Sequence, residues 1–547
     1  MVSPSNPLFL GLDLSTQQLK AVTIQVDGSI VDETAVHFDN DLPQYNTTSG
    51  TYHGPGEGEV TSPVEMWLEA IDLLFERLSN AGVALCDVVA ISGAGQQHGS
   101  VYWTTQGEHL LSALDGDKKT LREQLFPEAF SITRSPIWQD HSTEEECKIL
   151  EHTVGGPQAL ADLSGSRAYE RFTGTQISKI RRLRPEAYNA TARISLVSSF
   201  IASIFLGKYA PIEVSDASGM NLMDILTCKW DPRLLEICGG RELRQKLGGE
   251  PTIGGVSLEK VHRWWSERWG MNPDCIVAPF TGDNPATVMS LSAPGDAVLS
   301  LGTSTTFLLS TPPSDTPPKR FTSSHLLAHP TTPDGYIVML CYKNGALARE
   351  KVRDEYANGD WDEFNKLVEA AEIGCSGYIG LYFPLPEIIP AGVEGNWYFS
   401  DSKTTPKNVE STPKEIHCRA ILESQFLSIR SRIAAILPPN APHLHRLVIS
   451  GGSSANPVIR QIAADIFGMD VYVSSTKEAA AMGGAFLAKY AWWKARNPGG
   501  AFEDMIEGEP AGLTCVAKAG EKESAAYDAL VSAYTHCEEA AVRLCLK

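Results

Sequence analysis

The apolar run Ile276-Val277-Ala278-Pro279-Phe280 stops at Thr281-Gly282 and is followed at once by a carboxylate, Asp283. A strand that ends in a glycine turn presents the next side chain at a sheet edge, within reach of a ligand. Asp283 is therefore a candidate general base. It also stands two residues before Pro285, so it equally suits the cap of a helix beginning there. A second carboxylate, Asp13, lies near the end of the first apolar run, Leu8 to Leu14, with a Ser-Thr turn and Lys20 beyond it. A carboxylate beside a phosphate-binding turn suits Mg2+, which is held by a few protein groups and several waters. A plain polar residue at a strand end would read the same way.

Three loops rich in Gly, Ser and Thr would let backbone N–H groups approach phosphate oxygens: Asp13 to Gln18, Gly302 to Thr306, and Gly451 to Asn456. The third carries the clearest signal, because Gly451-Gly452 follows a buried strand and precedes a helix over 458–467. The second, with Gly302 and Thr303 at its head, reads equally as a hydroxyl-rich hairpin turn. None is a Walker A sequence, and no G-x-G-x-x-G opens a helix.

These residues need elements to position them. Leu8–Leu14, the alternating run after Gln18, and Ile30-Val31 beyond Asp27-Gly28 predict an antiparallel meander. Val64, Trp67, Ile71, Leu74, Phe75 and Leu78 share one face of a helix expected over 64–81. A buried strand over 88–91 ends in Ser92-Gly93-Ala94-Gly95. Further helices are expected over 415–437 and around Ala479–Ala485, where side-chain bulk almost vanishes. Leu12-Asp13-Leu14-Ser15-Thr16 aligns with Leu299-Ser300-Leu301-Gly302-Thr303, and Ala90–Gly95 resembles Val448–Ser453. Two pairs in the same order predict a duplicated domain, with domains over 1–275 and 276–547.

The bounds agree with an ordinary two-domain enzyme. A chain of 547 residues exceeds the size of a single core. The formal charge of −20, with no Lys/Arg stripe, argues against a nucleic-acid partner. No apolar run reaches the ~18 residues of a membrane span. The start lacks the basic region of a signal peptide. Eleven cysteines without a C-x-x-C pair predict neither a zinc site nor a disulfide framework, and point to the cytoplasm.

Gly95-Gln96-Gln97-His98-Gly99, Pro136–Asp140, Gly165–Phe172, Ser215–Gly219 and Thr281–Asn284 together resemble the FGGY family of carbohydrate kinases, over nearly the whole chain. Within that family the chain looks most like the xylulose kinases of eukaryotic type. The resemblance implies an α/β fold of two actin-like domains, as in sugar kinases, hexokinases and heat-shock ATPases. Each is a mixed sheet flanked by helices, with a cleft between. It implies ATP and Mg2+, and phosphorylation of D-xylulose to D-xylulose 5-phosphate. Another ketose or polyol such as ribulose is the alternative acceptor; an ATPase or sugar sensor without an acceptor is a second alternative. By position, the sugar falls to His98, Arg167, Asp283 and Asn284, with Asp283 as base. ATP falls to Gly302, Thr303, Trp361, Gly451, Gly452 and Asn456, and the metal to Asp13. Trp103 and Trp138 are expected as an apolar wall, and the insertion 39–62 as a border of the sugar pocket. The oligomeric state, monomer or homodimer, stays open.

Overall fold

The opening meander forms as expected in the computed structural model, which describes residues 6–117, 120–400, 407–410, 412–506 and 512–545. Strands β1 (Leu8–Leu14), β2 (Gln18–Ile24) and β3 (Ile30–His37) pair antiparallel in sequence order. Gly28, at φ 83°, makes the turn between β2 and β3. On its other edge β1 pairs in parallel with β4 (Val88–Gly95). Side chains alternate across a strand. Leu8, Leu10, Leu12 and Leu14 therefore share a core with Trp67, Ile71 and Phe75 of the helix Val64–Asn80. Phe9 faces the other way, onto Ala485, Phe486 and Leu487 of the helix Ala479–Lys494. That helix sits so close that a Cβ on Gly11 would lie 2.0 Å from the carbonyl oxygen of Ala481. Its run of small residues is what permits the approach.

The chain divides into two compact units. The first comprises Met1–Leu291, Leu326–Tyr336 and Thr476–Ala511; the second comprises Ser292–His325, Ile337–Ser475 and Gly512–Lys547. The division therefore falls later than the 275/276 boundary expected from sequence, and the first unit recovers two later segments. The reason is pairing: β5 (Ile276–Val277) and β6 (Thr281–Gly282) both lie parallel to β4, so the chain stays with the first sheet through the helix Asp283–Leu291.

The second unit repeats the plan. Strands β7 (Ala297–Leu301), β8 (Thr305–Ser310) and β9 (Tyr336–Tyr342) form an antiparallel meander. β10 (Arg446–Ser450) then pairs in parallel with β7, β11 (Asp470–Ser474) with β10, and β12 (Leu513–Ala517) closes the edge antiparallel. The orders β3-β2-β1-β4-β5 and β9-β8-β7-β10-β11 correspond strand for strand. The two short sequence likenesses fall on β1 with β7, and on β4 with β10, so they mark equivalent positions in the two sheets. Insertion 39–62 is not a bare loop. Tyr52–His53 pairs with Val60–Pro63, and the Asp39 carboxylate accepts backbone N–H bonds from Ser49 and Gly50.

Candidate active site

In the first unit, Asp283 opens its helix directly after β6. Its Oδ1 accepts the backbone N–H of Asn284 at 2.9 Å and the Asn284 side-chain amide at 3.2 Å. The same amide donates to Gln97 Oε1 at 2.9 Å. Burial pushes the Asp283 carboxyl up to about 6, against the pull of backbone N–H groups and Lys20. A carboxylate poised there is ionised at neutral pH yet basic enough to take a proton.

His98, next to Gln97, is buried and held at φ 72°. Its Nδ1 meets the carbonyl oxygen of Gly219 at 2.9 Å and its ring stacks on Phe172 at 4.5 Å. A Cβ on Gly219 would lie 2.8 Å from the imidazole, so the glycine of the Ser215–Gly219 stretch makes room for this ring. Burial, with Arg171 nearby, lowers the imidazole to about 3 and keeps it neutral. With Nδ1–H donating to a carbonyl, Nε2 is an acceptor suited to an alcohol. Arg167 is engaged by Glu151, Nε to Oε1 at 3.0 Å and Nη2 to Oε2 at 3.2 Å. From the same stretch it is Phe172, not Arg167, that packs on His98.

Asp13 is buried on β1 and faces Lys20 across the β1–β2 register. Lys20 Nζ stands 3.9 Å from Asp13 Oδ2 and 2.5 Å from Glu478. Asp13 Oδ1 is buried without a partner, and burial raises the carboxyl to about 7. One orphaned carboxylate oxygen suits a metal that keeps most of its waters. Among the described residues no group of three or more His, Cys, Asp or Glu could enclose a metal ion.

Several groups here escaped the sequence reading. Glu213 accepts from Ser215 N, Asp216 N and the Thr281 hydroxyl, which anchors the start of β6. Asp216 accepts from Ser198 at 2.5 Å, leaving Oδ1 buried and unpartnered; burial raises it to about 7. A Cβ on Gly282 would meet both Gln97 and Asp216, so Gly282 lets these two side chains converge. The Ser-Asp-Ala-Ser-Gly stretch was a signal, but only folding shows where it points. The expected tryptophan wall is half corrected. Trp103 is core, bonded to Ser195 and packed on Phe130, because it alternates inward on its strand. Trp138 is 44% exposed and donates to Thr16 of the Asp13 turn at 2.8 Å.

The second unit holds a cavity of about 630 Å³. Gly302, Thr303, Trp361, Gly452 and Asn456 line it, joined by Glu350, Asn365 and Ser453. Gly302 and Thr303 form the β7–β8 hairpin turn, which Gly345 and Ala346 brace through backbone bonds to Thr303 and Gly302. Gly451, at φ 85°, lies behind the cavity wall, where a Cβ would meet the Leu301 carbonyl carbon at 2.7 Å. Gly452 faces open space. Asn456 caps the helix Pro457–Phe467 and donates to Asn365 at 2.8 Å. Trp361 starts the helix Trp361–Ala370, with the Arg353 guanidinium 4.8 Å over its ring. Backbone turns at a helix start, an aromatic face and two amides are what a purine nucleotide needs.

Residues 130–290 match the FGGY N-terminal domain of carbohydrate kinases, and residues 297–492 match the C-terminal domain. A curated protein of Aspergillus fumigatus, "Probable D-xylulose kinase A", is 43% identical over 538 residues, covering 92% of each chain. The chain belongs to the FGGY family of carbohydrate kinases. A relative of the same name from Neosartorya fischeri is likewise 43% identical, over 92% of each chain. As an FGGY protein it is an ATP-dependent carbohydrate kinase. Its fold agrees with solved structures: a xyloylose kinase from Brucella ovis (TM-score 0.77, 19% identity, 98% and 100% of the chains) and a Plasmodium falciparum glycerol kinase with ADP (0.73, 16%, 99% and 99%). Among the described residues no helix is long and apolar enough to cross a membrane.

Proposed function

We propose that this FGGY kinase transfers the terminal phosphoryl group of ATP to D-xylulose, giving D-xylulose 5-phosphate. The observation that carries the reading is Asp283, held by the Asn284 amide at a strand end with its carboxyl near 6. The names of the relatives supply the choice of sugar.

A sugar alcohol is a weak nucleophile, and phosphoryl transfer asks chiefly for alignment and charge stabilisation. Asp283 accepts the alcohol proton as the oxygen–phosphorus bond forms. Neutral His98, through Nε2, accepts a hydrogen bond from a sugar hydroxyl, and Asn284, its N–H groups already engaged, offers its amide oxygen to another hydroxyl of the same substrate. Arg167, pinned by Glu151, addresses the outer hydroxyls. In the cavity of the second unit, Trp361 and Asn456 flank the nucleoside, while Gly302, Thr303 and Gly452 admit the phosphates to backbone N–H groups and Gly451 shapes the turn behind them. Asp13 would hold Mg2+ through water, and that ion would offset phosphate charge. Eleven cysteines, none of them in a disulfide, fit action in the cytoplasm.

ADP release is to be measured with D-xylulose, ribulose, other ketoses, polyols and no acceptor. Fastest turnover on D-xylulose is expected. A preference for ribulose or a polyol would replace the substrate, and acceptor-independent hydrolysis would replace the reaction.

A further inference from the structure

Behind the wall of the nucleotide cavity lies a guanidinium with no anionic partner. Arg349, on the helix Ala346–Tyr356, is completely buried. Nη1 donates to Gln425 Oε1 at 2.7 Å and Nη2 to Ser453 Oγ at 3.1 Å; Nε has no acceptor. No carboxylate ion-pairs with it among the described residues, and Glu350, its chain neighbour, acts on it only at a distance. Burial lowers the guanidinium to about 10, so it remains charged at neutral pH.

A buried charge is costly unless something offsets it, and proteins seldom retain one without a counter-charge. Here both neighbours are neutral, and one of them, Ser453, lines the cavity. Gln425 in turn donates to the carbonyl oxygens of Asn344 and Gly345, beside the residues that brace the Gly302 turn. The cation is thus fastened to the supports of both glycine turns.

We infer that Arg349 is a positioning residue whose missing counter-charge is the polyphosphate of the bound nucleotide. It fixes the Gly451–Ser453 turn through Ser453 and gives the cavity a positive field aimed at phosphate. The inference rests on the nucleotide reading of this cavity. It predicts that the cavity distinguishes a nucleoside diphosphate from its nucleoside by more than backbone N–H groups supply.

The test is calorimetric binding of ADP and of adenosine to the whole protein and to three variants. R349M removes the charge, R349Q removes it while keeping a polar group for Ser453 and Gln425, and R349K keeps it without the fork. At an effective dielectric of about 20, removing a charge near phosphates is expected to weaken ADP about 30-fold in R349M and R349Q, with adenosine changed less than about threefold. R349K should stay within about threefold of the parent for ADP. R349Q keeps the test valid if R349M does not fold. Equal weakening of ADP and adenosine in R349Q would make Arg349 merely structural, and unchanged ADP binding would overturn the inference outright. Failure of the parent protein to bind ADP would instead remove the nucleotide reading itself.

Discussion

The Asn284 amide spans two partners, donating to Asp283 Oδ1 at 3.2 Å and to Gln97 Oε1 at 2.9 Å. One side chain thereby fixes the direction of the proposed base against β4. Asn284→Ala removes this side-chain restraint on the carboxylate and a substrate acceptor. Turnover should fall on the order of 10- to 100-fold, as for loss of a positioning contact. ADP affinity measured by calorimetry should be unchanged, and a parallel loss of both would contradict the assignment.

Asp283→Asn removes the proton acceptor. Turnover should drop by at least about 10²-fold, the lower end of general-base contributions, while ADP still binds. In the parent protein the base works only when ionised, so kcat/KM should rise with pH through about 6 and level off above. A profile flat from pH 5 to 8 would exclude Asp283 as the base.

Asp216 carries the opposite consequence for stability. Its carboxyl is raised from 3.8 to about 7, so the folded state binds this proton more tightly than the unfolded state. The stabilising contribution is full below 3.8 and is lost as pH rises through about 7. Asp216→Asn should therefore raise the Tm at pH 8, by on the order of 1–3 kcal/mol of stability. At pH 4 the gain should vanish. Thermal melts at the two pH values decide it.

Metal dependence follows from Asp13 Oδ1, buried and unpartnered. Chelation of divalent cations should abolish turnover reversibly, with Mg2+ restoring it. Asp13→Asn should raise the Mg2+ concentration needed for half-maximal rate by roughly tenfold, the worth of one charged contact. Titrating Mg2+ against rate at fixed ATP measures this.

Trp361→Ala removes the aromatic face of the cavity. The KM for ATP should rise about tenfold, the worth of one stacking side chain, with the sugar KM unchanged. A change confined to the sugar KM would move the nucleotide elsewhere.

Much of this was legible because it was local. Asp283 is announced by its apolar run and glycine, and the Gly451-Gly452 turn by the strand and helix around it. Gly302, Thr303 and Gly452 came from glycine-bearing turns, Trp361 and the adenosine role of Asn456 from family resemblance, and all five line one cavity. What escaped depends on contacts distant along the chain. Asp216 meets Ser198, Arg349 meets Gln425 and Ser453, and Arg167 is engaged by Glu151. Trp103 reads as a site aromatic until its strand turns it into the core. The unit boundary was misplaced for the same reason, since no local pattern tells a strand which sheet it will join.

The helix Ala479–Lys494 lies against Gly11 at a distance no larger residue would allow, yet more than 450 positions separate the two in the chain. During translation, β1 therefore waits with one face bare until nearly all of the protein has left the ribosome. The second sheet's meander and its parallel neighbours have been made by then. The unit that starts first can therefore close only after most of the second has been made.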